Sequence, residues 1–66
     1  MMTDLDKLKH LLKHWLEHND AHINTYEEWA QKAETMGEKD ISEILKQITD
    51  ESRKLNNLFQ KALESI

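Results

Sequence analysis

The segment from His14 to His22 reads HWLEHNDAH, and its histidines recur every four residues, a spacing that His10 extends toward the N-terminus. Residues four apart are neighbours on an α-helix, so two imidazoles at this spacing can bind one divalent ion. Helical zinc sites of the H-x-x-x-H type use the same spacing. The segment therefore indicates a metal site, a polar layer between packed helices, or a solvated helix face rich in histidine.

The four histidines do not lie on one line, because a step of four residues overshoots a helical turn by about 40°. His22 falls on the apolar side of the predicted helix, His18 flanks that side, and His14 and His10 lie further toward solvent. His18 and His22 are therefore the first candidate metal ligands. Two ligands do not complete a site, since a closed zinc site needs four and an open one needs three.

Further ligands must come from other parts of the molecule. Antiparallel pairing of two helices places His22 opposite the region of Leu55, where Glu51 is the carboxylate that flanks the second helix's apolar side. We expect Glu51 to be a third ligand or an acceptor that orients a histidine. A two-fold dimer would supply a second His18 and His22 pair. Nitrogen ligands suit Zn, Ni, Co or Cu.

The histidines belong to a predicted first helix over residues 3–36. Thr3 and Asp6 predict a capping box at its start, and Gly37 predicts a left-handed stop after it. Apolar and polar residues in alternating steps of three and four predict one continuous contact line, or seam. This seam consists of Leu5, Leu8, Leu12, Trp15, Asn19, His22, Tyr26, Trp29, Ala33 and Met36.

A second helix is predicted over residues 41–65, with Asp40 as its N-cap and Glu43 completing a capping box. Its seam consists of Ile41, Leu45, Ile48, Ser52, Leu55, Phe59, Ala62 and Ile66. The short connection over residues 37–40 makes the two helices antiparallel neighbours. A break at Asn19–Asp20 would instead give three helices, because HNDAHINT contains mediocre helix formers.

The composition is typical of an all-α antiparallel two-helix hairpin in a single domain over residues 1–66. The chain has no Pro, one Gly and 33% charged residues. Two helices alone bury little surface, and they would leave Trp15, Tyr26, Trp29 and Phe59 half exposed. We therefore expect a homodimer that forms a four-helix bundle.

Several functional classes are excluded by composition. A net charge of −4, with both signs interspersed, disfavours a nucleic-acid or anionic-lipid surface. No apolar run is long enough to cross a bilayer, and MMTDLDKLKH lacks the apolar core of a signal peptide. The absence of Cys is compatible with the cytoplasm, which is the expected location. No catalytic motif or substrate cleft is indicated, so we do not expect an enzyme.

A polar layer without metal is the main alternative. Asn19, His22 and Ser52 interrupt the apolar seams near the middle, with Tyr26 and Asn56 close by. A polar residue at a seam position lowers stability but fixes how helices pair. The protein would then be a structural or protein-interaction module. Its aromatic residues could also receive a partner protein's helix, and protonation of a buried His22 would make the assembly pH-sensitive.

The string H-W-L-E-H-N-D-A-H, followed by Tyr26, Trp29-Ala30, Lys32-Ala33 and Gly37, resembles an uncharacterised family of small prokaryotic helical-hairpin domains. Members of that family carry H-W-x-x-H-N-x-x-H before a W-A-x-K-A-like stretch and a Gly turn. The resemblance covers the first helix and the turn well, and the second helix loosely. It implies that His14, His18, Asn19 and His22 form one feature, so His14 joins the candidate ligands, and it implies no activity.

Overall fold

The computed structural model describes residues 3–66, which form two packed α-helices and no β-strand. Helix α1 is Asp4–Thr35 and helix α2 is Lys39–Glu64. The predicted first helix, residues 3–36, extends one residue past α1 at each end, while α2 begins two residues before the predicted position 41. Helix α1 continues through Asn19–Asp20, so the three-helix alternative is wrong. The all-α fold is confirmed.

Helix α1 begins and ends where the sequence predicts. The Thr3 hydroxyl accepts from the Asp6 backbone N–H, and the Thr3 N–H donates to the Asp6 carboxylate. The Thr3 backbone N–H, which donates to the carboxylate, is the main cause that lowers the pKa of Asp6 below its usual value of 3.8, and the Thr3 hydroxyl adds to it. At the other end, Gly37 has a φ of 82°, and the N–H of Glu38 donates to Ala33 at 2.9 Å. This is a Schellman motif, which needs a left-handed residue at the position of Gly37.

The predicted capping box of Asp40 and Glu43 is wrong. The N-cap of α2 is Glu38, which makes no side-chain capping bond, and Asp40 already lies in the first helical turn. The helix starts early because Glu38 completes the Schellman motif and its carbonyl at once accepts from the N–H of Ser42, at 3.0 Å. Asp40 then stabilises α2 only as a negative charge near its N-terminus.

The two helices pack antiparallel along a line that mixes large apolar residues with small and polar ones. Trp15 lies against Phe59 at one end, and the Ser42 hydroxyl donates to the Ala30 carbonyl at 2.7 Å near the other. We call the contacting residues, all buried or half-buried, the inner stripe. It consists of Leu12, Leu16, Asn19, Ile23, Tyr26, Ala30 and Ala33 on α1, and Ser42, Leu45, Thr49, Ser52, Asn56, Phe59 and Leu63 on α2.

Large apolar residues also remain exposed along one side of this contact on both helices. Trp15 is 43% exposed, Trp29 48% and Ile44 55%. We call the residues on this side, all exposed, the outer stripe. It consists of Leu8, Leu11, Trp15, His18, His22, Trp29 and Met36 on the first helix and its C-cap, and Ile41, Ile44, Ile48, Glu51, Leu55 and Leu58 on α2.

The two predicted seams are therefore wrong in one respect. Their members alternate between the stripes, so that Leu12, Asn19 and Ala33 are inner whereas His22 and Trp29 are outer. A helix with two apolar stripes can contact two neighbours, and the prediction assumed one. Small residues take the inner position because they let the helix backbones approach closely enough for the Ser42–Ala30 hydrogen bond.

The outer stripes of both helices lie on one side of the hairpin. On each helix, at about 100° per residue, the outer stripe is displaced about a quarter turn from the inner stripe in the same rotational sense. In antiparallel helices these displacements point the same way. The opposite side is charged, and there Glu27 pairs with Arg53 and Glu34 with Lys46 across the two helices.

Candidate functional site

His18 and His22 lie at the middle of α1, on the outer stripe, and both are exposed. Their Nε2 atoms are 3.1 Å apart. The rings are perpendicular, with centroids 4.5 Å apart. Because the two residues lie on successive turns of α1, their ring nitrogens meet, as the four-residue spacing predicts. His22 is not in the helix–helix contact, so its predicted place in the hairpin's core is wrong.

The separation of the two Nε2 atoms suits chelation of a metal ion. With metal–nitrogen bonds of about 2.0–2.1 Å, nitrogens this far apart subtend roughly 100° at the ion, between octahedral and tetrahedral angles. Without metal, one neutral ring can donate its N–H to the other's lone pair. The two nitrogens that a metal would bridge can thus be joined by one hydrogen bond.

Neighbouring rings extend this pair in both directions. His14 stacks on His18 with centroids 6.0 Å apart, and Tyr26 stacks on His22 at 6.0 Å with the planes 12° apart. Tyr26 is half-buried in the inner stripe, so it attaches the exposed histidines to the core. His14 joins the row through its ring face, and His10 is exposed.

One chain does not assemble a complete metal site. Among residues 3–66 there is no group of three or more His, Cys, Asp or Glu that could hold an ion. Glu51, the predicted third ligand, instead accepts from Lys54 Nζ at 3.0 Å. His18 and His22 therefore have neither His14 nor Glu51 as a third ligand within the chain.

The predicted polar layer is divided between the two stripes. Inside the hairpin, Asn19 Nδ2 donates to the Ser52 carbonyl at 2.9 Å and to Asn56 Oδ1 at 2.8 Å. Asn56 Nδ2 then donates to Asp20 Oδ1 at 3.3 Å. Asn19, Ser52 and Asn56 thus form a connected network, whereas His22 faces outward.

Two members of the inner contact were missed from the sequence. Asp20 extends the network, and it could have been found from its place beside Asn19 and opposite Asn56. Ser42 is almost fully buried, and its signal was a small residue three before Leu45 and seven before Thr49, the spacing of a seam. Both were overlooked because neither lies on a predicted seam.

Membrane insertion has no support in the described part of the chain, where neither helix combines the length and apolar character of a bilayer-spanning segment.

Comparison with known proteins places residues 8–66 within the family described as "Domain of unknown function (DUF8180)". A relative from Archaeoglobus fulgidus, described as "Uncharacterized protein", is 34% identical over 62 residues, which cover 94% of this chain and 98% of the relative. No solved structure matches. The predicted resemblance to a small uncharacterised family is confirmed at this level, and the histidine motif stays a prediction for its members.

Proposed function

Since the chain belongs to the family described as Domain of unknown function (DUF8180), we propose its function from its own geometry: it is a small, homodimeric helical module that binds a divalent transition metal through His18 and His22. It is a binding protein rather than an enzyme. Zn, Ni, Co and Cu are the candidate ions, because all accept imidazole nitrogen. The cytoplasm remains the location expected from the sequence.

The 3.1 Å separation of the His18 and His22 Nε2 atoms carries the metal proposal. The rings are already within chelating distance, so binding an ion costs little rearrangement of side chains. Their stacking neighbours restrict both rings further. Lost rotamer freedom is a main cost of ordering ligands, and here the fold supplies much of that order in advance.

The exposed apolar surface supports the dimer. Among residues 3–66 the buried apolar residues are Leu12, Ile23, Ala30 and Ala33, and two of these are alanines. The hairpin is a single layer 54 × 18 × 11 Å in extent, and a stable domain normally needs two layers. Covering one broad face in each of two copies would bury roughly 2,000 Å², which is enough for a stable dimer.

The alternative function is a structural or protein-interaction module without metal. The Asn19 network favours it, because the half-buried Asn19 and Asn56 side chains are hydrogen-bonded across the two helices, which fixes the pairing of α1 with α2. In that case the outer stripe would receive another protein's helix or a second copy, and the two histidines would be ordinary polar residues of its surface.

Calorimetric titration of metal-stripped protein with Zn²⁺ and Ni²⁺ at pH 7.5 tests the metal proposal. We expect micromolar or tighter binding, abolished by His18→Ala/His22→Ala, with each single substitution weakening it at least about tenfold. Binding should also weaken on acidification, because protons compete with metal for imidazole nitrogen.

His10→Ala is the matched control, because it removes an exposed histidine of the same helix from outside the stacked row. It should leave the affinity unchanged. Binding that survives in the double variant, or that falls equally in the control, would contradict the proposal. The structural alternative would then stand.

A further inference from the structure

We infer that a second copy of this chain covers the outer stripe with its turn at the opposite end of the bundle, so that His18 and His22 of both subunits meet at the two-fold axis and form one four-histidine metal site. This inference rests on the proposed function and adds the partner, the arrangement and the missing ligands.

The position of the histidines along α1 carries the first step. Residue 20 lies at the middle of Asp4–Thr35, and His18 and His22 flank it on either side. A two-fold axis perpendicular to the helix makes each residue face the one equally far beyond the axis. An axis at the middle of α1, which gives the longest overlap, therefore brings the histidines of both subunits together.

The outer stripe fits this register around the centre of α1. With the axis at residue 20, Trp29 faces Leu11 of the partner subunit, and His22 faces His18 of the partner subunit. Polar residues thus meet at the centre and a Trp29–Leu11 pair lies on either side of it, whereas Trp15 faces Thr25 of the partner subunit and Leu8 faces Lys32 of the partner subunit. A shift of one heptad toward the turn would shorten the overlap of α1 with α1 of the partner and place His18 against Trp29 of the partner subunit, which leaves a polar group without a partner.

The other possible dimer, with both turns at the same end, fits the stripe less well. It packs α1 against α2 of the partner subunit at an unchanged height along the bundle. Within one chain Asn19 contacts Ser52 and Asn56, so residues 18–22 lie level with Leu55. His18 would then lie between Leu55 and Leu58 of the partner subunit, and His22 between Leu55 and Glu51 of the partner subunit. Two imidazoles against an apolar side chain cost free energy that the opposite-end dimer avoids.

The completed site has the donor set that one chain lacks. Each subunit contributes two Nε2 atoms that are already 3.1 Å apart, and the four nitrogens satisfy the coordination of a closed tetrahedral site. The ion would bind once per dimer. Because the ion bridges the subunits, metal binding and dimerisation strengthen each other. The factor by which the metal raises the affinity of dimerisation equals the factor by which dimerisation raises the affinity for the metal.

The test combines stoichiometry with a distance across the dimer. The chain contains no Cys, so Lys39→Cys carries a single spin label at the start of α2, beside the turn. Opposite-end packing places the two labels roughly 50 Å apart, near the molecular length, whereas same-end packing places them within about 25 Å. We expect the long distance, one Zn²⁺ per two chains, and at least about a tenfold fall in the dimer dissociation constant on adding zinc.

Glu51→Ala is the matched control, since Glu51 is the carboxylate of the outer stripe on α2 and is not a ligand in this arrangement. It should leave both zinc affinity and stoichiometry unchanged. A short label distance, two ions per dimer, or loss of binding in Glu51→Ala would overturn the inference while the His18 and His22 site stands. Failure of the wild-type protein to bind zinc would overturn the metal site, and the label distance would still decide the arrangement.

Discussion

The inner and outer stripes of the hairpin differ in the size and polarity of their residues. The inner stripe holds the two helices together through Ala30, Ala33, Ser42 and Thr49, all buried. The outer stripe carries Trp, Ile, Leu and Met side chains, and these remain between about two-fifths and two-thirds exposed. The molecule thus leaves a broad hydrophobic surface uncovered and pairs its own helices through a mixture of large apolar, small and polar residues.

This difference separates two tasks that a single apolar seam would combine. Hydrogen bonds such as Ser42 to Ala30 and Asn19 to Asn56 require a particular register, so the inner stripe determines how the chain pairs with itself. The outer stripe offers large apolar area, which stabilises association roughly in proportion to the area buried. We therefore expect most of the stability of the folded protein to come from association through the outer stripe.

Ile48→Glu should have the largest effect, because it places a carboxylate in the outer stripe. Each subunit loses the burial of one isoleucine and must desolvate a charge, so we expect dimerisation to weaken by more than about 4 kcal/mol, or roughly a thousandfold. Sedimentation equilibrium should show a monomer at micromolar concentration, and thermal unfolding should become broad and occur at lower temperature.

Asn57→Glu is the control for that substitution, as it adds the same charge to an exposed position on the opposite, charged side of α2. It should leave the oligomeric state unchanged. If Ile48→Glu stays dimeric with an unchanged melting temperature, the outer stripe is not an association surface and the comparison of the two stripes fails.

Asn19→Ala should have a smaller effect, since it breaks the inner stripe without exposing a large area. It leaves the Asn56 amide oxygen without its donor, which should cost about 1–3 kcal/mol in the free energy of urea unfolding. The dimer dissociation constant should change much less.

Asn19→Leu/Asn56→Leu sharpens the same test. Replacing both partners by apolar side chains should restore or raise stability while loosening the pairing of α1 with α2. Extra sets of amide peaks in the NMR spectrum would report the loss of a single register. A double variant with one sharp set of peaks would show that the Asn19 network does not determine pairing.

The helices, their capping at Thr3 and the stop at Gly37 could be read from the sequence, because each depends on residues close in the chain. The choice of contact face could not. Trp15, His22 and Trp29 of the outer stripe share a three–four spacing with Leu12, Asn19 and Ala33 of the inner stripe. Periodicity alone therefore predicts a single seam that runs between the two stripes. The contacts of Ser42 with Ala30 and of Asn19 with Asn56 show which stripe the chain uses for itself.

For the candidate metal site, the sequence predicted which side chains of α1 lie close together. It did not predict whether Glu51 of α2 points toward them. The spacing of His18 and His22 predicts that their rings meet, and their nitrogens do. Glu51 was placed near them by antiparallel register alone, which gives height along the bundle but not direction around each helix. In the structure its carboxylate is directed to Lys54.

Thr3→Ala should have the smallest effect of these substitutions and act outside both stripes. The Thr3 N–H and hydroxyl hydrogen bonds hold the pKa of Asp6 below 3.8 in the folded protein, so their stabilisation is present above that pH and is lost as the pH falls through the lowered pKa. Removing the hydroxyl should move the pKa of Asp6 back toward 3.8, measured by NMR titration of its carboxyl carbon. Thr3→Ser retains the hydroxyl and should retain the lowered pKa. An Asp6 pKa that is the same in all three proteins would show that the Thr3 hydroxyl does not contribute to the lowered pKa in solution, while leaving the two stripes unaffected.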